Sequence, residues 1–352
     1  MKQKFTWMVF SVVAGAFVVA LNVPGAAQQR QVKIFDPQQG IYYADANDRT
    51  IRALPVRENI YMIVGAGANI TVHLGDEGVL LVDTGSGTAN EKVLSLIRQL
   101  STKPIRYIVN TSSRPDHTGG NVAFKVPAGG AAPAAGGAGG GGGGAGRGGA
   151  GGRGGVPIVA HENVLRVMAT ATAGKPSPTP TDAWPTQTFH IWHEDLYFNG
   201  ESIQVLYEPD GATDGDSMVY FRRSDVISAG DIFMTTTYPV IDVNNGGSIN
   251  GIINGLNHLL DLTIPKEKQE GGTMVIPGHG RISDEADVVE YRDMVTIIRD
   301  RIRDAIKKGK TLQQVQSSGL TKDYDPRYGT NTGTWTTAMF VEAAYQSLSR
   351  KP

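Results

Sequence analysis

The chain has 352 residues, 40% of them hydrophobic, with a formal net charge of −1 and no cysteine. That much apolar side chain supplies a core and excludes a disordered chain, while the missing thiols exclude disulfides and leave only nitrogen and oxygen to hold a metal. With no basic run outside an arginine-dotted glycine tract, nucleic acid is set aside as a partner and a small-molecule substrate is expected.

The N-terminus, MKQKFTWMVFSVVAGAFVVALNVPGAAQQ, places Lys2 and Lys4 before an apolar run from Phe5 to Leu21, followed by the small residues Gly25, Ala26 and Ala27. This is the pattern of a secretory signal, residues 1–27, cleaved near Ala27. The run is short for a span of about 20 residues and no second one follows, so the expectation is a bacterial periplasmic or secreted protein without stable membrane insertion. Loss of the two lysines takes the charge from −1 to −3.

Residues 28–56 read as a polar lead-in, and 57–352 as the folded domain. NIYMIV, ITVHLG and VLLVDTG are β-rich runs separated by turn residues, and they predict a three-stranded meander. TANEKVLSLIRQL switches to helical period, with Val93, Leu96, Ile97 and Leu100 on one face and Thr88 placed to cap it. IRYIVN is the next strand and leads into NTSSRPDHTGGN. The tract at 127–155, nearly all glycine and alanine, has no side chains to bury and reads as a flexible insertion.

Further on, HENVLRVMATA reads as a helix, and FHIWH, IQVLYE, SMVYF and VISAG as strands. INGIINGLNHLLDL is a helix, GTMVIPG a strand, and the C-terminal region holds two helices with a capping-box helix, TLQQVQSS, between them. Strands and helices mixed in this way imply an α/β layered sandwich.

Four polar residues fall at strand ends or in turns, where active-site groups are carried: Asp116 and His117 after IRYIVN, Asp231 after VISAG, and His279 in IPGHG. Two imidazoles and two carboxylates suit a tetrahedral or five-coordinate zinc, or an octahedral iron or manganese.

GVLLVDTG, NTSSRPDHTGGN, PDGATDGDS, SAGDIF and VIPGHG, in this order, resemble the motifs of the metallo-β-lactamase superfamily from about Asn59 to the C-terminus. The resemblance implies a four-layer αββα sandwich with metals at one edge, and makes Asp83 the acidic brace of the site loops. It assigns Asp116, His117, Asp231 and His279 to the family's second metal position. The three histidines of the first position are absent, with Ser112, Arg114 and Ala212 in their places. Arg114 also sets a permanent positive charge there. At most one divalent ion is expected, zinc before iron or manganese.

Two functions follow from this. One is a mononuclear hydrolase of an ester, lactone, thioester or phosphoester, with Asp116 or Asp231 taking a proton from water and Arg114 standing in for the lost metal as the electrophile that binds an anionic group. The other is an inactive binding or scaffolding module that keeps the fold alone. The lack of first-site histidines speaks against a β-lactamase. Among the remaining residues, His73 reads as structural, His161 as a helix-cap residue and His258 as lying on a helix face. His190 and His193, on opposite faces of one strand, read as unable to share a metal, though with Trp192 they are placed to line an entrance. Tyr238, Asn244 and Asn245 are candidate substrate contacts.

Overall fold

The computed structural model describes residues 50–125, 155–171, 177–269 and 271–350. The signal at 1–27, the lead-in up to residue 49 and nearly all of the glycine tract lie outside the described residues.

Two sheets carry the fold. In the first, β1 (Arg52–Arg57), β2 (Ile60–Val64), β3 (Ile70–Gly75) and β4 (Gly78–Val82) form an antiparallel meander. β5 (Ile105–Val109), β6 (Ile158–His161) and β7 (Gln187–Phe189) then add in parallel, so the seven strands lie in chain order. In the second, β8 (His193–Phe198), β9 (Glu201–Tyr207), β10 (Ser217–Phe221) and β11 (Val226–Ser228) are antiparallel neighbours, and β12 (Met274–Ile276) pairs in parallel with β11.

Period-two patterning decides how the sheets stack. Along β4, Leu80 and Val82 join an inner core with Val219 and Phe221 of β10, whereas Val79 and Leu81 turn to the opposite face. That outer face is covered by α1 (Asn90–Leu100), through Val93 and Ile97, and by Phe124 of the short α3 (Asn121–Phe124). α4 (Glu162–Ala169) packs Val164 and Met168 beside it against Ala160. On the far side, Met218 and Ile227 of the second sheet meet α5 (Ile249–Leu262), α6 (Glu285–Lys307) and, past the small α7 (Leu312–Ser317) and α8 (Asp325–Tyr328), α9 (Thr337–Ser349). The layers therefore run helix, sheet, sheet, helix, as expected. Deleting a fully buried side chain between the sheets, Leu80→Ala for example, costs about 2–5 kcal/mol at such sites.

Four local readings differ from the sequence. β1 falls within the stretch read as a lead-in, because Pro55 and a shift of register near Arg57 hide its alternation. FHIWH is not one strand: the chain bends at residues 190–192 between β7 and β8, and both histidines are exposed, His193 lying 3.5 Å from Asp195. Thr88 does not cap α1, since the cap position is Ala89 and the Thr88 hydroxyl bonds Ser86 instead. Tyr238 is closed to substrate: it is buried, stacked on Phe340, and donates its hydroxyl to Asp325 and the Thr321 carbonyl.

Candidate metal centre

The site lies where the strands of the two sheets end. Asp83 follows β4 with φ at +61°, an unfavourable angle for a residue with a side chain, of order 1–3 kcal/mol. Its buried carboxylate compensates by accepting the Thr111 amide and hydroxyl at 2.8 and 2.6 Å, and the His117 Nδ1–H at 2.7 Å. Asp83 thus fixes the start of the loop after β5 and sets the tautomer that leaves His117 Nε2 facing the site.

α2 (Pro115–Thr118), opened by a proline at its first position, brings Asp116 and His117 into the centre. Gly119 follows because the backbone of Ser86 lies 2.3 Å from where a Cβ would stand. Asp231 sits in a single 3₁₀ turn, Gly230–Ile232, after β11. His279 follows β12, and Gly278 before it is required, since a Cβ there would meet Asp231 Oδ1 at 2.5 Å. The two histidine-bearing loops share one clamp. The Asn69 side chain donates to the Pro277 and Gly280 carbonyls, its amide donates to the Gly278 carbonyl, and the Ala68 amide donates to the Asp116 carbonyl.

The centre has a floor and a mouth. His117 and Asp231 are fully buried, whereas about a quarter of the Arg114, Asp116 and His279 side chains is exposed. His117 Nε2 lies 3.1 Å from Asp231 Oδ1, and His279 Nε2 is 3.1 Å from Asp116 Oδ2 and 3.7 Å from Asp231 Oδ1. Donor atoms of Asp116, His117 and His279 all fall within 4.8 Å of one another. Arg114 spans the two carboxylates, its Nε 2.9 Å from Asp231 Oδ2 and 3.4 Å from Asp116 Oδ1. Ser112 and Ala212 are buried nearby and offer no imidazole.

Charge and alignment decide what this arrangement accepts. Three carboxylates, Asp83, Asp116 and Asp231, face one guanidinium, which leaves two negative charges when both imidazoles are neutral. Without a cation, protons must fill the gap. Burial opposes charge on His117, yet Asp231 and Asp83 outweigh it and raise that imidazole well above its usual range. Burial likewise pushes Asp116 up, but His279, His117 and Arg114 together hold it far below the usual carboxylate range. His117 Nε2 and both Asp231 oxygens are nevertheless buried without an aligned hydrogen bond. One divalent ion would balance the charge and use those atoms, so the residues present fit a single metal.

Sequence reading did not find two further participants. Thr111 bonds Asp83 and lies 3.2 Å from His117, but an isolated threonine carries no motif. Asp216 is fully buried beneath the site and bonded by the Thr213 amide and hydroxyl. Burial first, and the Asp231 charge after it, push its carboxyl up to about 7.

An αββα sandwich with carboxylates and imidazoles converging at its strand ends is the plan of a metal-dependent hydrolase fold. The chain belongs to the metallo-β-lactamase superfamily, whose family model matches residues 59–279. Among solved structures it is similar to a metallo-β-lactamase from Pontibacter korlensis, at 16% identity and a TM-score of 0.50, over 70% of this chain and 99% of that one. It is also similar to the stereoselective inverting sec-alkylsulfatase Pisa1 from Pseudomonas sp., at 16% identity and a TM-score of 0.56, over 84% of this chain but 49% of that one. At such identities the likeness shows the fold alone. No curated protein sequence matches the chain.

Proposed function

We propose that this chain is an exported, mononuclear metallohydrolase that opens an ester, lactone, thioester or phosphoester. The observation that carries the reading is the unaligned, buried His117 Nε2 and Asp231 carboxylate, set beside His279 and Asp116 in a centre two positive charges short. Asp116, His117, Asp231 and His279 would hold one ion, zinc before iron or manganese. When bound, such an ion lowers the pKa of water and polarises the scissile carbonyl or phosphoryl oxygen.

The chain's own residues divide the remaining work. Asp231, at the floor and paired with Arg114, is fixed in place and shielded from solvent, which suits a ligand. Asp116 stands at the mouth, where it can take a proton from an attacking water and pass it to solvent. Arg114 presents a permanent charge beside both carboxylates, in the position where the family's first site has a histidine, and receives the anionic oxygen of the substrate. Asp83 holds the His117 ring through Nδ1.

The Arg114 bridge also supports the competing reading of a metal-free binding module, in which the guanidinium closes the centre as a salt bridge. Elemental analysis of the purified protein beside His279→Ala separates the two. About one equivalent of zinc, lost in the variant, is expected and would justify a screen of ester, lactone and phosphoester substrates. No bound metal after incubation with zinc, iron and manganese would sink the hydrolase and leave the module.

A further inference from the structure

We infer that a row of aromatic rings ending in Trp192 seats an apolar, ring-sized portion of the substrate, so that the substrate is an ester carrying a ring or similarly bulky group at the far end of a chain from its reacting bond. This rests on the hydrolase reading. It adds a substrate class, carried by residues that contribute nothing to the metal centre.

Trp192 is 73% exposed and its neighbour Ile191 is 53% exposed, at the bend between β7 and β8. A large apolar surface left open to water marks a place that something covers. The tryptophan is not an isolated side chain, because it ends a row of rings rooted in the protein. Buried Phe189 meets buried His161 edge-on at 5.2 Å, His161 stacks on Tyr207 at 3.7 Å and 5°, and Trp192 leans over Tyr207 at 6.3 Å and 37°. Tyr207 is fixed in turn, since its hydroxyl donates to Asp214 Oδ1 at 2.7 Å and accepts from Asn163 Nδ2 at 3.3 Å. A ring arriving at Trp192 therefore meets a preorganised surface and orders little on binding.

Backbone hydrogen bonds connect this row to the metal centre. The Trp192 carbonyl accepts from the Tyr207 amide at 2.9 Å, and Tyr207 pairs with Ser217. The Ser217 amide donates to the Thr111 carbonyl at 2.9 Å, and Thr111 is bonded to Asp83. Three strand-to-strand steps put Trp192 on the order of 14 Å along the rim from the loop that carries Asp116 and His117. β6 is parallel to β5, so His161 emerges on the same edge as that loop. A substrate with its reacting bond at Arg114 and a ring system extending along the rim fits this spacing.

The other occupant of an exposed apolar edge is a second copy of the chain. β8 is the edge strand of its sheet, and its exposed face carries the polar His193 and Asp195 beside Tyr197, so the oligomeric state is followed in the test.

The test is calorimetric titration of the zinc-loaded protein with 6-(2-naphthyl)hexylphosphonate, whose chain spans the distance to Trp192, and with hexylphosphonate, repeated on Trp192→Ala and Trp192→Phe, with the oligomeric state followed by light scattering. The naphthyl probe should bind about 10-fold tighter than the plain alkyl probe, a gain of the size one aromatic seat provides. Trp192→Ala should erase most of that difference and leave hexylphosphonate binding unchanged, and Trp192→Phe should keep it. Equal binding of the two probes, or a preference that survives Trp192→Ala, overturns the seat while leaving the hydrolase reading standing. A dimer converted to monomer by Trp192→Ala assigns the patch to self-association and also overturns it. If neither probe binds, the anion-receiving role of Arg114 fails and the seat fails with it.

Discussion

The two sides of the candidate centre share the loop after β5 and have different chemistry. On one side His117, Asp231, His279 and Asp116 converge; His117 Nε2 and both Asp231 oxygens lack aligned partners there, but so do Arg114 Nε and both nitrogens of His73, and it is the balance of charge that sets the centre apart. On the other, Ser112 and Ala212 are packed away and Arg114 fills the space with its own charge. Histidine pairs elsewhere in the fold show what is unusual about the first side. His73 meets Glu201 at 3.1 Å and His258 meets Glu208 at 2.7 Å, each imidazole facing one carboxylate. The centre places three carboxylates around its two imidazoles and lone guanidinium, and that excess marks a place for a cation.

Several measurements would break or sharpen this contrast. The largest effect is expected from Asp231→Asn, which removes the charge shared by Arg114 and both imidazoles. Zinc should be lost and hydrolysis should fall at least about 1000-fold, with folding checked by circular dichroism. Arg114→Ala should keep its zinc, or bind it more tightly once a nearby positive charge is gone, yet lose about 100-fold in kcat/KM, the size of effect seen when one preorganised electrostatic contact is removed. Loss of zinc along with activity there would refute the division of labour. Asp83→Asn weakens the hold on His117 Nδ1–H and should reduce zinc affinity by about 10- to 100-fold, read by chelator competition. Restoring imidazoles with Ser112→His, Arg114→His and Ala212→His together should raise the metal content from one equivalent to two. A count that stays at one would show that more than these three positions was lost.

The smallest effect belongs to an ordinary pair. The hydrogen bond to Glu208 is the main cause raising the His258 imidazole above its usual pKa, with the charges of Glu208 and Asp261 behind it. The folded state then holds that proton more tightly than the unfolded one. The stabilisation is fully present below the unfolded pKa of about 6.5 and is lost as pH rises through the folded value. Burial raises Glu208 as well, which acts in the same direction at lower pH. His258→Gln should therefore lower Tm slightly at pH 6 and leave it unchanged at pH 9, and a larger deficit at pH 9 would contradict this assignment.

Much of this was legible in the sequence, for identifiable reasons. The meander β2 to β4 shows as short runs between turn residues, and α5 follows its periodic segment from Ile249 to Leu262. Asp116, His117, Asp231 and His279 stand out in the sequence at glycine-bounded strand ends, which are written locally, and Asp83 through the family resemblance; the structure brings the five side chains together. What escaped depends on contacts between distant segments. Nothing near residue 238 announces that the Tyr238 hydroxyl will be taken up by Asp325 and the Thr321 carbonyl. Arg114 was legible as a charge near the centre, but its bridge from Asp116 to Asp231 needs both loops in place. His161 was placed as a cap and does accept the Asn163 amide, but its stack on Tyr207 joins two different sheets.

The origin of the four donors bears on how the protein matures. Asp116 and His117 issue from the first sheet, and Asp231 and His279 from the second. No chain with only one sheet folded presents more than half of them, and the Thr111 to Ser217 hydrogen bond that splices the sheets at this edge forms only on docking. Capture of an ion at this candidate site would then be the closing event of folding rather than its nucleus, since a partly folded chain has no complete site to offer a stray metal.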